Sequence, residues 1–138
     1  MGLTKKVLIT LITPIILTVG VASVVKAATL GNVFADCRVK KIADYQSSSS
    51  TKNKGVTYGA CQITKISHTG DTYRVCLENS NGFNKTKMAS FSDVTGIMKL
   101  KYDSDFVSSS ENVHLNISTA PTNFYSVTVY GCWTANYQ

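Results

Sequence analysis

The chain has 138 residues, of which 14 are basic and 8 acidic, giving a formal net charge of +6, and it carries four cysteines. A length of this order fits a single domain. None of the cysteines forms a C-x-x-C pair, which leaves zinc and thiol-redox chemistry without support.

Lys5 and Lys6 precede residues 7–25, a run of 19 residues without a charge. This is the layout of an export signal, and Val25 and Ala27 stand at the −3 and −1 positions of a signal-peptidase site if cleavage falls after Ala27. The expected organisation is a cleaved signal peptide over residues 1–27 and a single secreted β domain over residues 28–138. The competing reading is an uncleaved anchor, since such a run is just long enough to span a bilayer of ~30 Å; Pro14, Gly20 and its hydroxyl-bearing residues count against it. Cleavage removes Lys5, Lys6 and Lys26 and leaves eleven basic against eight acidic residues, a net charge of +3.

Along the mature chain, residues 33–40 alternate Val33, Ala35, Cys37 and Val39 with Asp36, Arg38 and Lys40, the period of a half-buried strand. Residues 46–55, with four consecutive serines, offer little to bury and read as a surface loop. Residues 56–66 and 72–78 are β-rich and flank a turn containing Gly70, so they predict a hairpin. A four-residue turn sets Lys65 opposite Thr72 and Cys61 opposite Cys76; a shorter one sets Lys65 against Arg74, a disfavoured like-charge pair. Residues 79–87 form a polar connection with an Asn81-Gly82 turn, and 88–96 are ambiguous between helix and strand. Strands follow at 97–102, 113–117 and 124–133.

An even cysteine count in an exported chain favours two disulfides, and the hairpin register selects Cys61–Cys76 with Cys37–Cys132, although three connectivities are formally open. Six or seven short strands without a convincing amphipathic helix predict an all-β fold. The candidates are a small antiparallel β-sandwich, immunoglobulin-like or otherwise, and a small barrel.

The sequence has no G-x-S-x-G, H-E-x-x-H, phosphate-loop or calcium-loop pattern. Of its two histidines, His68 lies in the turn beside Asp71 and His114 points away from Val113, Leu115 and Ile117, so neither has the partners of a catalytic base. No enzyme activity, metal or cofactor is expected. Basic residues recur at i, i+2 spacing in Arg38/Lys40, Lys52/Lys54, Lys85/Lys87 and Lys99/Lys101, a spacing that on a strand projects both charges from one face. Such pairs solvate and protect sheet edges; on a shared face they make a cationic patch for acidic glycans or anionic surfaces.

Aromatic residues crowd the C-terminal strand, with Trp133 expected in the core near Cys132. The candidate ligand-binding residues are Tyr125, Tyr130, Tyr137, Lys99 and Lys101. The sequons at Asn84 and Asn116 identify nothing by themselves. These features point to a secreted or surface-associated binding protein of adhesin, inhibitor or effector type. Its expected ligand is a protein or glycan, with no specific nucleic acid and no membrane span in the mature form. A toxin or antimicrobial protein acting on anionic membranes is the alternative.

Overall fold

A computed structural model describes residues 30–39, 44–119 and 126–138. The proposed signal peptide and cleavage site, Lys40 and Tyr125 lie outside the described residues. Among the described residues eight strands form two antiparallel sheets: β1 (Asn32–Val39), β2 (Tyr45–Lys52), β3 (Tyr58–Ile66), β4 (Tyr73–Asn79), β5 (Ala89–Phe91), β6 (Met98–Lys101), β7 (Glu111–Thr119) and β8 (Val127–Tyr137). The first sheet runs β1-β8-β3-β6 and the second β2-β7-β4-β5. The protein is therefore an all-β sandwich, not a closed barrel. Its strand order is that of an eight-stranded jelly roll rather than an immunoglobulin domain, because only β4 and β5 are both consecutive and paired. Among the described residues no helix is long and apolar enough to cross a membrane.

Strand alternation builds the core. Phe34, Cys37, Val39, Cys61, Ile63, Leu100, Val127, Val129 and Trp133 face inward from the first sheet; Tyr73, Val75, Leu77, Phe91, Val113, Leu115 and Ile117 meet them from the second. Trp133 is 1% exposed and pairs with Cys61 across β3 and β8, so it belongs to the core as its sequence neighbourhood implies. The two sheets pack face to face with polar residues on their outer surfaces, the usual division for a sandwich. Gly131 of β8 lies where a Cβ would run into the Gln62 carbonyl oxygen and approach the Phe34 ring. Only glycine fits there.

The hairpin expected between β3 and β4 does not form. β3 pairs with β6 and β8, whereas β4 pairs with β5 and β7. The intervening turn, with Gly70 at φ +96°, carries the chain from one sheet to the other. It is tied at both ends by Ser67 N donating to Thr128 O at 2.9 Å and Gly70 N to Ser92 O at 3.1 Å. A tight-turn signal fixes a reversal of direction but not whether the returning strand stays in the same sheet, and the inward faces of β3 and β4 are satisfied here by facing each other across the core.

The disulfide expectation fails with the hairpin. Cys61 and Cys76 lie in different sheets, Cys132 pairs with Val33, and Cys37 pairs with Val129. None of the four is joined in a disulfide. They point to separate environments: Cys37 and Cys61 into the core, Cys76 to the outer face of the second sheet, and Cys132 to the outer face of the first.

Residues 46–55 are not a loop over most of their length. The serine run forms β2 against β7, with a register shift between Gln46 and Ser49. Its hydroxyls serve the sheet: Leu115 N donates to Ser47 Oγ at 2.9 Å, and Thr51 Oγ1 donates to Asn112 Oδ1 at 2.9 Å. The strand ends on Lys52, which is 0% exposed. Its Nζ donates to the carbonyls of Asn53 (3.1 Å), Val107 (3.1 Å) and Ser109 (2.9 Å) and lies 5.2 Å from the ring centroids of both Tyr102 and Phe106. The ammonium thus pins the helical turn Ser104–Val107 to the end of β2. Lys52 and Lys54 do not project from one solvent face as their spacing suggested.

The segment 88–96 resolves into the three-residue β5 and a connection, and the Asn81-Gly82 turn forms as expected, with Gly82 at φ +77°.

Candidate functional site

The register of the first sheet assembles a cationic and aromatic face. Directly opposed residues of antiparallel strands project to the same side. Leu100 and Tyr102 are buried, so the alternating Lys99 and Lys101 point outward from β6. Lys101 stands opposite Tyr58, and Tyr58 stands opposite Tyr137. The segment before β5 extends this row: Thr86 bridges to Tyr102, and Lys87 N donates to Lys101 O at 3.2 Å. Lys87, Lys101, Tyr58 and Tyr137 therefore lie side by side across four chain segments. Lys99 sits one row along, opposite Ala60, and its amine rests 5.8 Å from the Tyr58 ring centroid and 5.6 Å from that of Tyr137.

The rings are held from below. Tyr137 is 6% exposed and packs with Leu30 and Ala60, with Tyr58, Ile97 and Cys132 at the margin. A lysine seated over two fixed rings gains about 0.5–1 kcal/mol per contact at an exposed site. It has correspondingly fewer rotamers to lose when it meets an anion.

A second cationic centre lies further along the same face. Lys65 stands opposite Tyr130 with its amine 5.0 Å from the ring centroid, and Arg38 stands opposite Thr128 on the far side of β8. Lys65 is five residues beyond Ala60 on β3, which places the two centres on the order of 15 Å apart at ~3.3 Å per residue. Gln62, Thr134 and Cys132 occupy the ground between. None of Arg38, Lys65, Lys87, Lys99 and Lys101 forms a salt bridge with a described residue. Five cations thus share one face.

The outer face of the second sheet has a different chemistry. Cys76 stands opposite Asn116, and Glu78 stands opposite His114. His114 Nε2 lies 3.3 Å from Glu78 Oε2, with the two side chains only 12% and 10% exposed, and Gln46 Nε2 donates to the same carboxylate oxygen at 3.3 Å. His114 thus faces outward, as its alternation implies, but is largely covered rather than open. Asn116 Nδ2 donates to Asp44 Oδ2 at 3.3 Å, and Cys76 Sγ donates to Asn84 Oδ1 at 3.4 Å. A cysteine near a histidine and an asparagine invites a nucleophilic reading, and the electrostatics oppose it. Burial, reinforced by the Glu78 and Asp44 carboxylates, pushes the Cys76 thiol up to about 12, whereas a nucleophilic cysteine needs the opposite shift. Elsewhere, His68 Nε2 lies 3.4 Å from Asp71 Oδ2 in the turn between β3 and β4.

No family model, no curated protein and no solved structure matches this chain.

The structure brings together four of the five candidate binding residues, Tyr130, Tyr137, Lys99 and Lys101, on the outer face of the first sheet. Tyr125 lies outside the described residues. Tyr58, Lys65 and Lys87 join them on that face. Lys87 was visible as half of an i, i+2 pair, but its alignment with Lys101 depends on a contact between segments 14 residues apart. Tyr58 carries no local mark at all; its role follows from lying between Lys101 and Tyr137.

Proposed function

We propose that this is a non-enzymatic binding protein, secreted or surface-associated, that takes an anionic ligand on the outer face of its first sheet. One observation carries the reading: the Lys99 amine is held across the Tyr58 and Tyr137 rings beside Lys101 and Lys87, without a carboxylate partner among the described residues. Lysines that only solvate a sheet edge have no need of a common face or an aromatic seat. The protonated Cys76 thiol agrees with a binding role, since the cysteine nearest a histidine in the second sheet's cluster is set against attack.

The test uses the mature protein on an immobilised sulfated polysaccharide and on vesicles containing an anionic lipid, each at low and at physiological salt. Wild type is expected to bind at least one of the two surfaces at physiological salt, where the Debye length is ~8 Å and single-charge attraction is weak. Lys87→Gln, Lys99→Gln and Lys101→Gln combined should weaken binding tenfold or more, about 1.4 kcal/mol. Lys54→Gln, at an exposed lysine away from the face, should leave it unchanged. Equal loss from both variants, or none from either, overturns the assignment of the face.

A further inference from the structure

We infer that the ligand is a linear acidic glycan several sugars long, bridging the two cationic centres of the outer face. The inference rests on the reading of that face as an anion site and adds the class and minimum length of what it binds.

The argument starts from the spacing of the charges. Lys87, Lys99 and Lys101 form a compact group at the β6 edge, and Lys65 with Arg38 forms a second group on the order of 15 Å away by strand rise. A single phosphate, sulfate or carboxylate reaches one group only. A chain with anionic substituents along its length reaches both, and engagement of the second becomes intramolecular, with an effective concentration set by the connecting segment.

The ground between the centres favours sugars over other polyanions. Half-buried Gln62 lines it with an amide whose nitrogen donates to Thr95 O at 3.4 Å and whose oxygen can accept from a sugar hydroxyl, while the Thr134 hydroxyl is buried and bonded to the Asn136 backbone. Nucleic acid gains affinity by stacking bases on open aromatic faces. Here the Tyr58, Tyr137 and Tyr130 rings already carry the amines of Lys99 and Lys65. A bilayer rewards apolar side chains that enter it, and among the described residues Val33 of β1, opposite Cys132, is the one large exposed hydrophobic that the register places on this face.

The deciding experiment measures affinity of the full mature protein for a sulfated disaccharide, tetrasaccharide and octasaccharide of one repeat, beside vesicles with an anionic lipid and a single-stranded oligonucleotide. The proposal expects the octasaccharide to bind at least tenfold tighter than the disaccharide. It also expects Lys65→Gln with Arg38→Gln to abolish that difference while the disaccharide affinity is kept. Thermal melting of the double variant controls for folding, and Lys65→Arg with Arg38→Lys, which keeps both charges, should restore the length dependence. Equal affinity for all three lengths overturns the bridging inference and leaves a one-centre anion site. Binding of vesicles or oligonucleotide with none of the glycans overturns the ligand class and leaves the anionic reading. Binding to no anion overturns both.

Discussion

Replacing Lys52 by methionine tests how the end of β2 is held. The substitution keeps most of the aliphatic stem and removes an ammonium that donates to three carbonyls and sits over two rings. Hydrogen bonds to a charged group are worth ~1.5–3 kcal/mol each. Against that sum stands the cost of keeping an ammonium at 0% exposure, several kcal/mol, which the variant recovers. Two of the three carbonyls keep a backbone donor, Gly55 N to Val107 O at 2.9 Å and Val56 N to Asn53 O at 3.3 Å, so the loss is not complete. The balance is a destabilisation of about 3 kcal/mol, or roughly 10–20 °C in Tm for a domain of this size. Burial lowers the Lys52 pKa, with Glu111 opposing, so the unfolded chain binds more protons than the folded one between the folded value and the ordinary lysine value of ~10.4. Stability therefore rises with pH across that window. Urea denaturation of both proteins at neutral and alkaline pH reads both effects: wild type should lead the variant, and its lead should widen as pH rises. A variant within about 0.5 kcal/mol of wild type at neutral pH refutes the ammonium as the tie, since surface-like substitutions stay in that range.

Two other expectations concern the fold directly. Alkylating the unfolded protein without prior reduction should add four adducts, seen by mass spectrometry, because none of the four cysteines is disulfide-bonded; two adducts or none establishes a disulfide and overturns the separation of the thiols. In the native state Cys132, the one half-buried thiol, should react before the three buried ones. Gly131→Ala should destabilise by ~3 kcal/mol or abolish folding, since its Cβ would meet the Gln62 carbonyl and the Phe34 ring and neither can withdraw without shifting strand or core. A melting temperature within a few degrees of wild type contradicts the close approach of β8 to β3.

Local alternation was enough to place most strands and their inner faces. Val113 to Ile117 and the run up to Trp133 carry their buried set in plain period two, and the structure buries Leu115, Val129 and Trp133 accordingly; in β1 the alternation holds only at Cys37 and Val39, because the register shift between Phe34 and Cys37 turns Val33 and Ala35 outward and buries Phe34 instead. What alternation lacks is any statement about partners. β3 and β4 are each legible, yet the turn between them reads the same whether it closes a hairpin or crosses to the opposite sheet. The disulfide pairing inherited that ambiguity. β2 was missed for a different reason: its serines have low strand propensity, and the strand exists because the edge of β7 supplies hydrogen-bonding partners, so tertiary pairing overrides local preference. The candidate site shows the same division. Lys99 and Lys101 could be assigned to one face from their spacing, whereas Tyr58 and Lys87 became part of it only through pairing across the sheet.

The strand order also governs when this protein is able to fold. Among the described strands β8 comes last in the chain yet occupies an interior place in the first sheet, and β1, which comes first, has β8 as its neighbour there. Until β8 is available, β1 has no strand to join and β3 lacks its longer partner. Formation of this sheet waits on contacts between the extremes of the chain, the kind of long loop closure that slows folding. In a growing chain of this order the two sheets come of age separately: the second, β2-β7-β4-β5, needs nothing beyond β7, whereas the first waits for β8.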